Sequence, residues 1–445
     1  MEHRQGSAPS RRHVLKAAAA PPLIGGVMAA GAGAQAATSD GPPQRPNLPP
    51  GSIPVNRLPD YFDVEPGIHN LENGYWGVMS RPVAEHFVQQ TLYINRANSV
   101  WARNVLTGGT SLAAGGRAAR EAIARQVGAG VDEIAVARSG AEALNALLTQ
   151  YRLLKAGEAV ICCDLDYDDM VASLESLAAR RGVELVRFAM PEPATTANIL
   201  AAYDDVLKRT PHARLLLVTQ VSNKTGLVTP VREIVAMARA RGVDTVVDAA
   251  HGVACLDFQI EDLGADFVGW SVHKWTGAPL GVGALYIRRS RLADIDPAAD
   301  QPQADPLDVT TRAPAGTVNF ATVMTIPVAV DFHFAIGARN KEQHLRALRD
   351  RWVKALHDVP EVEICVPDDP RRYCAITSFR LKGMTTNEQA QALQKVLLDR
   401  YRVHTIWRMG PAKGPVIRVT PGLYSKPEAV DALATALRAE RKRFV

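Results

Sequence analysis

The sequence predicts an α/β fold: a large domain built on a mainly parallel sheet flanked by helices, followed by a smaller C-terminal α/β domain. From about residue 130, short β-rich runs alternate with longer helical stretches, which is the pattern of parallel strands joined by helical crossovers. Beyond about Ile326 the order changes to strand, helix, strand, strand, helix. A chain of 445 residues is also longer than one small core requires. We therefore expect a large domain over residues 76–325 and a small domain over residues 326–445.

The N-terminal segment, residues 1–36, resembles a twin-arginine export signal. It contains the pair Arg11-Arg12, then an apolar stretch over residues 17–34 and small residues typical of a cleavage site. The resemblance implies the twin-arginine export machinery as a partner and a periplasmic location. The alternative is a cytoplasmic protein with a loose basic N-terminus. The apolar stretch is interrupted by Gly and Pro and is shorter than the ~20 residues of a membrane-spanning helix. Residues 37–75 begin with a Pro-, Gly-, Ser- and Asn-rich run and are predicted to be a linker, or an arm lying on a neighbour.

Six strands of the large domain are expected from short runs of apolar residues. They are Ile134–Val136, Ala159–Ile161, Leu215–Val218, Thr245–Val247, Phe267–Trp270 and Gly283–Ile287. The last two follow each other closely, so the later part of the sheet is expected to be wound less regularly. Ligands of open sheets bind outside the carboxyl ends of the strands, and polar residues accumulate at those positions in this sequence.

The small domain is expected to contain a strand over Ile376–Leu381. Two capping boxes are predicted at helix starts, Thr385 with Glu388 and Ser425 with Glu428. The last helix has one apolar stripe, formed by Val430, Leu433, Ala434 and Leu437.

Charge and cysteine content argue against several classes of function. The formal net charge of +5 falls to +2 when residues 1–36 are left out, because 47 basic and 45 acidic residues then remain. No basic cluster is interleaved with aromatic residues, so nucleic acid is not an expected partner. The five cysteines have neither a CxxC spacing nor a His-containing metal spacing, so we expect no metal site and no disulfide framework.

The strongest chemical signal comes from Asp248 and Lys274, which lie 26 positions apart at two expected strand ends. A buried lysine or a strand-end aspartate alone is ordinary. Together they resemble the aspartate strand and the lysine loop of class V aminotransferase-like enzymes of fold type I. This group depends on pyridoxal phosphate and includes cysteine desulfurases, kynureninase and isopenicillin N epimerase. The resemblance runs from about Leu71 to Tyr424 and implies a seven-stranded, mainly parallel sheet in the large domain.

The resemblance implies that pyridoxal 5′-phosphate is the cofactor and that Lys274 and Asp248 are catalytic. Lys274 would bind the cofactor covalently and then move protons at the substrate Cα, with a pKa lowered by burial. Asp248 would keep the pyridine nitrogen protonated, so that the ring can accept electrons released at Cα.

Eight further positions match cofactor-binding residues of the family: Gly140, Ala141, Tyr167, Asn223, His251, Ser271, His273 and Thr317. The first two open a helix whose free N–H groups would bind the phosphate, although Ala141 lacks the hydroxyl often found there. Tyr167 would stack on the pyridine ring, and Asn223 and His251 would lie near its phenolic oxygen. Thr317 would reach the phosphate of the other subunit, which implies a homodimer whose sites are completed across the interface.

Substrate binding is implied for three residues. Arg418 matches the arginine that holds the substrate α-carboxylate, a role suited to a planar and permanently charged guanidinium. Asn73 and Tyr75 resemble the N-terminal segment that approaches the substrate. That substrate is expected to be a small-molecule amino acid or a peptide-like molecule.

The reaction is narrowed by a missing cysteine. A cysteine desulfurase needs a mobile cysteine shortly before the carboxylate-binding arginine, and the stretch Trp407–Gly414 contains none. Amino transfer, racemisation or epimerisation, and lyase chemistry stay open. The segment from Glu72 to Trp76 and Tyr167 look more like the epimerase branch and an exported enzyme of pyoverdine maturation. We predict an aminotransferase-like enzyme acting at the Cα of a secreted metabolite. The alternatives are an epimerase or racemase of the isopenicillin N epimerase type and a non-catalytic protein that binds pyridoxal phosphate.

Overall fold

A seven-stranded sheet lies at the centre of the computed structural model, which describes residues 41–103, 112–301 and 305–445. In chain order the strands are β1 (His69–Asn70), β2 (Ile134–Ala137), β3 (Ala159–Cys163), β4 (Glu184–Phe188), β5 (Ala213–Thr219), β6 (Asp244–Asp248), β7 (Phe267–Ser271), β8 (Gly283–Ile287), β9 (Val362–Ile364), β10 (Thr377–Leu381), β11 (Val403–His404), β12 (Ile406–Arg408) and β13 (Val416–Val419). The helices are α1 (Arg81–Ala102), α2 (Leu112–Val127), α3 (Gly140–Thr149), α4 (Asp168–Arg181), α5 (Thr196–Arg209), α6 (Val231–Arg239), α7 (Phe320–Ile336), α8 (Ala338–Lys354), α9 (Asn387–Tyr401) and α10 (Pro427–Glu440).

The central sheet has the strand order β2-β8-β7-β6-β5-β3-β4. β8 runs antiparallel to both of its neighbours, and the other adjacent pairs run parallel. Strands β3, β7 and β8 are buried along their whole length, because helices cover both faces of the sheet. The predicted α/β class with a mainly parallel, seven-stranded sheet is confirmed, and all six strands expected from the sequence are present.

The seventh strand, β4, was not expected from the sequence. It lies at the sheet edge beside β3, and its residues Glu184 and Arg187 are exposed. Charged side chains on an edge strand protect it from pairing with other chains, but they also remove the apolar run on which the prediction depended.

A second sheet of four antiparallel strands, in the order β12-β13-β10-β9, is formed by residues 362–419. Helices α8, α9 and α10 cover it around a core that contains Trp352, Phe379 and Leu433. The predicted order of strand, helix, strand, strand and helix is present in this sheet and its helices from β10 onward, but β9 is an additional strand that was not predicted. The predicted apolar stripe of α10 is buried.

Both predicted capping boxes are wrong: α9 has a capping box one residue further on, and α10 has none. Helix α9 is capped by Thr386, whose hydroxyl accepts from the Gln389 N–H at 3.3 Å, and Thr385 stands one residue too early. Helix α10 has no side-chain cap, because the Ser425 hydroxyl accepts from the Gly422 N–H at 3.0 Å in the preceding turn.

The N-terminal part of the described chain packs against the hydrophobic core of the same chain. Gly51 and Ile53 donate backbone hydrogen bonds to α7 at 3.0 and 2.9 Å, and Leu58 is fully buried. Further on, β1 pairs in parallel with β11, and Glu72 forms a parallel bridge with Thr420. Residues 69–72 are thus paired with the C-terminal part of the chain through β11 and Thr420.

Helix α7 is apolar and buried on all sides, and it contacts α1, α2 and α8. It also crosses residue 326, where the sequence suggested a domain boundary, and residues 41–445 form one compact unit. Within the part of the chain that the structure describes, no single helix is both long and apolar enough to cross a bilayer. The bent pair α7 and α8 meets the criteria of length and composition together. The predicted export signal lies outside the described residues.

Candidate active site

Asp248 and Lys274 come together at the carboxyl edge of the central sheet. Asp248 ends β6, and Lys274 follows β7 by three residues. The two strands are parallel neighbours, with Asp248 paired to Gly269. Both side chains line one cavity of about 260 Å³. An anionic group and an amine that are distant in the sequence therefore share one pocket.

Most of the residues predicted for the site line the same cavity. They are Tyr75, Gly140, Ala141, Tyr167, Asn223, Asp248, His251, Ser271, His273, Lys274 and Arg418. Two predicted residues do not. Asn73 is buried beneath the adjoining loop, where its side-chain oxygen accepts from the Val78 N–H at 3.4 Å. Thr317 is exposed on a loop away from the cavity.

Lys274 lies against His251, with 3.0 Å between its Nζ and the imidazole Nε2. On the other side of the ring, the indole N–H of Trp275 donates to Nδ1 at 3.2 Å. Burial, together with the positive charge of Lys274, holds the pKa of His251 well below its usual range, so the ring is neutral. Since Nδ1 accepts, the single ring proton is on Nε2, and Nε2–H can donate to the lysine amine when that amine is neutral.

The pKa of Lys274 is shifted toward the neutral amine that this arrangement requires. Burial, opposed by the attraction of Asp248 and assisted by the positive charges of Arg418 and Arg408, lowers the pKa from 10.5 to about 8. The lowered pKa increases the fraction of neutral amine near neutral pH, and the neutral amine is the form that attacks a carbonyl and accepts a proton.

Asp248 is 5% exposed, and burial raises the pKa of its carboxyl group. The Ala250 N–H at 2.8 Å and the charge of Lys274 oppose that rise. A buried carboxylate with so few partners has unused acceptor capacity directed into the cavity. A cationic hydrogen-bond donor in the cavity would use the remaining acceptor capacity of the Asp248 carboxylate.

One end of the cavity suits a phosphate. Gly140 begins α3, and the preceding Ser139 caps the helix by accepting from the Glu142 N–H at 3.0 Å. A Cβ atom on Gly140 would lie 2.4 Å from the Ser271 hydroxyl, so a side chain does not fit there. The free N–H groups of a helix start favour an anion. His273 donates from Nδ1 to the Val282 carbonyl at 2.8 Å, which leaves its Nε2 available.

Arginines define the other end of the cavity. Arg418 is 1% exposed, donates to the Asn223 carbonyl at 2.8 Å and forms an ion pair with Glu72. Arg408 lines the same cavity. The sequence analysis missed Arg408, which lines the cavity, and Glu72, which pairs with Arg418, although both lie within segments that it quoted.

The five cysteines are all described, and none of them lines the cavity. Cys365 is partly exposed and the other four are buried. The loop that follows Arg408 is attached to the large sheet region, since the Asp164 carboxylate accepts from the Ala412 N–H at 3.2 Å. No thiol in the cavity is positioned to attack a substrate sulfur.

Comparisons with known proteins agree with this geometry. The model of the family described as aminotransferase class-V matches residues 85–405. Isopenicillin N epimerase of Streptomyces clavuligerus is 32% identical over 338 residues, which cover 72% of this chain and 83% of the relative. An apo cysteine desulfurase of Thermococcus onnurineus has a similar structure, with a TM-score of 0.73 and 20% identity over 87% of this chain and 98% of its own. A C-DES mutant with glycine covalently linked to its PLP cofactor has a TM-score of 0.73 and 19% identity over 86% of this chain and 99% of its own.

Pyridoxal 5′-phosphate is the cofactor of this chain, and the cavity residues fit it. The start of α3 with Ser271 would provide donors for the phosphate, and Lys274 would provide the amine for the aldehyde. Asp248 would provide the carboxylate for the ring nitrogen. The side-chain oxygen assigned to Asn223 is buried without a hydrogen-bond partner among the described residues, so this amide has capacity left for a cofactor oxygen.

Proposed function

The chain belongs to the class V aminotransferase family, and on this basis we propose that it acts at the Cα of an amino acid, or of the amino-acid part of a peptide-like secreted metabolite. The observation that carries the proposal is the shared cavity of Lys274, Asp248 and Arg418. It combines a base, a counter-charge for the cofactor ring and a cation for a carboxylate.

Each of these residues has a separable task. Bound pyridoxal phosphate accepts the electrons that are released when a proton leaves Cα. Arg418 holds the substrate carboxylate and thereby orients the Cα–H bond. The neutral amine of Lys274 takes the proton, and the Nε2–H of His251 stays within hydrogen-bond distance of that amine.

We propose epimerisation as the reaction. The relative that is 32% identical is named isopenicillin N epimerase, and the cavity contains no thiol for desulfuration. Epimerisation needs a proton returned to the opposite face of Cα, and Tyr167 lines the cavity with a phenol whose pKa is raised, first by burial and then by Asp169.

Amino transfer is the second candidate. The family model carries that activity in its description, and one base is enough for it, as Lys274 provides. In amino transfer the cofactor would supply the carbon that receives the proton, so the cavity residues would need to provide no donor on the opposite face.

The two candidates predict different products. Purified holoenzyme would be incubated in D₂O with single enantiomers of amino acids, and Cα deuteration, enantiomer ratio and 2-oxo acid would be measured. Epimerisation makes L and D samples converge without 2-oxo acid. Amino transfer produces 2-oxo acid, at most one equivalent per bound cofactor unless a 2-oxo acid is added to accept the amino group, and leaves the remaining substrate in its original configuration. Lys274→Ala is the control that should show none of these changes. A wild-type enzyme that leaves every tested amino acid undeuterated would refute both candidates.

We also propose that the chain is exported by the twin-arginine pathway to the periplasm. The support is the pair Arg11-Arg12 with the apolar stretch that follows it. Fractionation of cells that produce the wild type and the Arg11→Lys/Arg12→Lys variant tests this proposal. We expect periplasmic activity for the wild type and cytoplasmic retention of the variant, and equal distribution would contradict it.

We further propose a homodimer in which Thr317 contributes to the partner's phosphate site. Its exposure on a loop away from its own cavity supports this proposal, as does Tyr75, which lines the cavity and is 70% exposed. Light scattering would give the mass in solution. Mixing inactive Lys274→Ala chains with Thr317→Ala chains would test the shared site, because one mixed dimer then has one site with both residues intact.

A further inference from the structure

The two arginines of the cavity project from the same face of the small sheet. Ile406 lies directly opposite Arg418 in the antiparallel pair β12 and β13, and Arg408 lies two residues beyond Ile406. Because side chains alternate between faces along a strand, Arg408 and Arg418 are diagonal neighbours on one face. Both line the cavity that contains Lys274.

The charge of Arg418 is already compensated. Its guanidinium forms an ion pair with Glu72, whose backbone is held by the bridge to Thr420. Gly74 packs on the same guanidinium, since a Cβ there would lie 2.6 Å from Nη2. The Nε of Arg418 still has no hydrogen-bond partner in the described part of the chain.

Arg408 has no such compensation. Within residues 41–103, 112–301 and 305–445, no acidic side chain lies within ion-pair distance of it, and its buried Nε has no hydrogen-bond partner. It lines the same cavity as Lys274, and its positive charge lowers the pKa values of Lys274, His251 and Arg418. A partly buried guanidinium without a counter-charge is stabilised by an anion.

The remaining charges of the cavity cannot provide that anion. Asp248 is reserved for the cofactor ring, and Glu72 is engaged with Arg418. With the substrate α-carboxylate on Arg418, Arg408 is still unpaired. A substrate whose single carboxylate is bound by Arg418 would leave Arg408 without an ionic partner of its own in a confined pocket.

Building on the proposed function, we propose that the substrate carries a second carboxylate, and that Arg408 binds it while Arg418 and Glu72 hold the α-carboxylate. Arg408 is then the residue that determines specificity for acidic over neutral side chains. A glutamate-like side chain is the simplest chemical match, because it carries one further carboxylate. Glutamine is the suitable comparison, because it has the same shape without the charge.

The test compares L-glutamate with L-glutamine in the holoenzyme. Binding is measured from the absorbance change of the bound cofactor, and independently by calorimetry, so that turnover is not needed. Wild type should bind glutamate at least about tenfold more tightly, since a hydrogen bond to a charged group contributes about 1.5–3 kcal/mol. Arg408→Gln should remove the preference by weakening glutamate alone. Arg408→Lys should keep part of it.

Two matched controls separate this role from general effects. Lys413→Gln removes one positive charge from the same loop, where the side chain is 55% exposed and does not line the cavity, and should leave the preference unchanged. Arg418→Gln should weaken both ligands equally. Circular dichroism would confirm that each variant is folded.

Equal binding of both ligands by wild type, or equal weakening of both by Arg408→Gln, would overturn the second-carboxylate site and leave the proposed function standing. A holoenzyme whose spectrum responds to no amino acid would overturn the proposed function itself, and this inference with it.

Discussion

Replacing Trp275 by Phe should change the protonation of Lys274 without touching it. The indole N–H donates to His251 Nδ1 at 3.2 Å and thereby keeps the ring proton on Nε2, which faces the lysine amine at 3.0 Å. Phe keeps most of the packing but leaves Nδ1 as a buried acceptor without a donor. That loss disfavours the present tautomer by about 1–3 kcal/mol.

The opposite tautomer places the proton on Nδ1 and makes Nε2 an acceptor. A lysine ammonium can then donate to Nε2, which stabilises the charged form. At the lower end of that energy range, the protonation equilibrium of Lys274 shifts toward the ammonium by a factor of about five. The pKa of Lys274, which is about 8 in the wild type, therefore rises in the variant.

The assay uses enzyme freed of its cofactor. Recombination with pyridoxal phosphate requires the neutral amine, so the rate plotted against pH gives the titration of Lys274, followed by absorbance. The midpoint should move to higher pH in Trp275→Phe, and nitrogen NMR should show the changed tautomer of His251. Trp352→Phe is the matched control, because Trp352 is also fully buried but its indole N–H has no partner in the described chain. An unchanged or lower midpoint in Trp275→Phe would refute the reasoning.

Three further perturbations test the charges around the site. Lys341 is buried, and burial lowers its pKa from 10.5 to about 8. Between these two pH values the unfolded chain binds a proton that the native state does not bind. The free energy of unfolding therefore rises with pH over this range. Lys341→Met should lose about 2 kcal/mol of that rise between pH 7.5 and 9.5 in denaturant titrations, and parallel wild-type and variant curves would contradict the assignment. Asp248→Asn should weaken cofactor binding and slow Cα–H exchange by roughly 10–100-fold, because a charge-assisted hydrogen bond is lost. Fluorescence titration measures the binding of the cofactor, and NMR measures the exchange. An exchange rate equal to that of the wild type would contradict the role of Asp248. Glu72→Gln leaves Arg418 as a buried charge without its partner and should lower the free energy of unfolding by about 3 kcal/mol. If the losses of the two single variants, Glu72→Gln and Arg418→Gln, simply add up in the double variant, the two side chains do not interact.

The fold was largely predictable because its strands are marked by composition. Strands buried on both faces appear as apolar runs, and six of the seven in the central sheet were identified from such runs. The edge strand β4 lacks this mark, since Glu184 and Arg187 face solvent. The cap of α9 was misplaced by one residue, because Thr385 and Thr386 both have suitable side chains and only the backbone conformation decides between them.

The candidate site was predictable where residues lie at strand ends. Asp248 and Lys274 follow adjacent parallel strands, so their proximity results from the sheet order. The roles of Arg408 and Glu72 depend on the register of the small sheet and on a bridge between residues 72 and 420, which local sequence patterns do not encode. Trp275 was missed for a similar reason, because its effect passes through the ring of His251.

The bridge between Glu72 and Thr420 also constrains how the protein matures. Backbone hydrogen bonds of 2.7 and 3.0 Å join Leu71 and Asn73 to Thr420, almost 350 positions later in the chain. During synthesis the wall of the site that contains Glu72 cannot close until the region around Thr420 has left the ribosome. Contacts of such long range form late. We therefore expect a nascent chain truncated before residue 416 to retain cofactor poorly, even though Asp248 and Lys274 are already present.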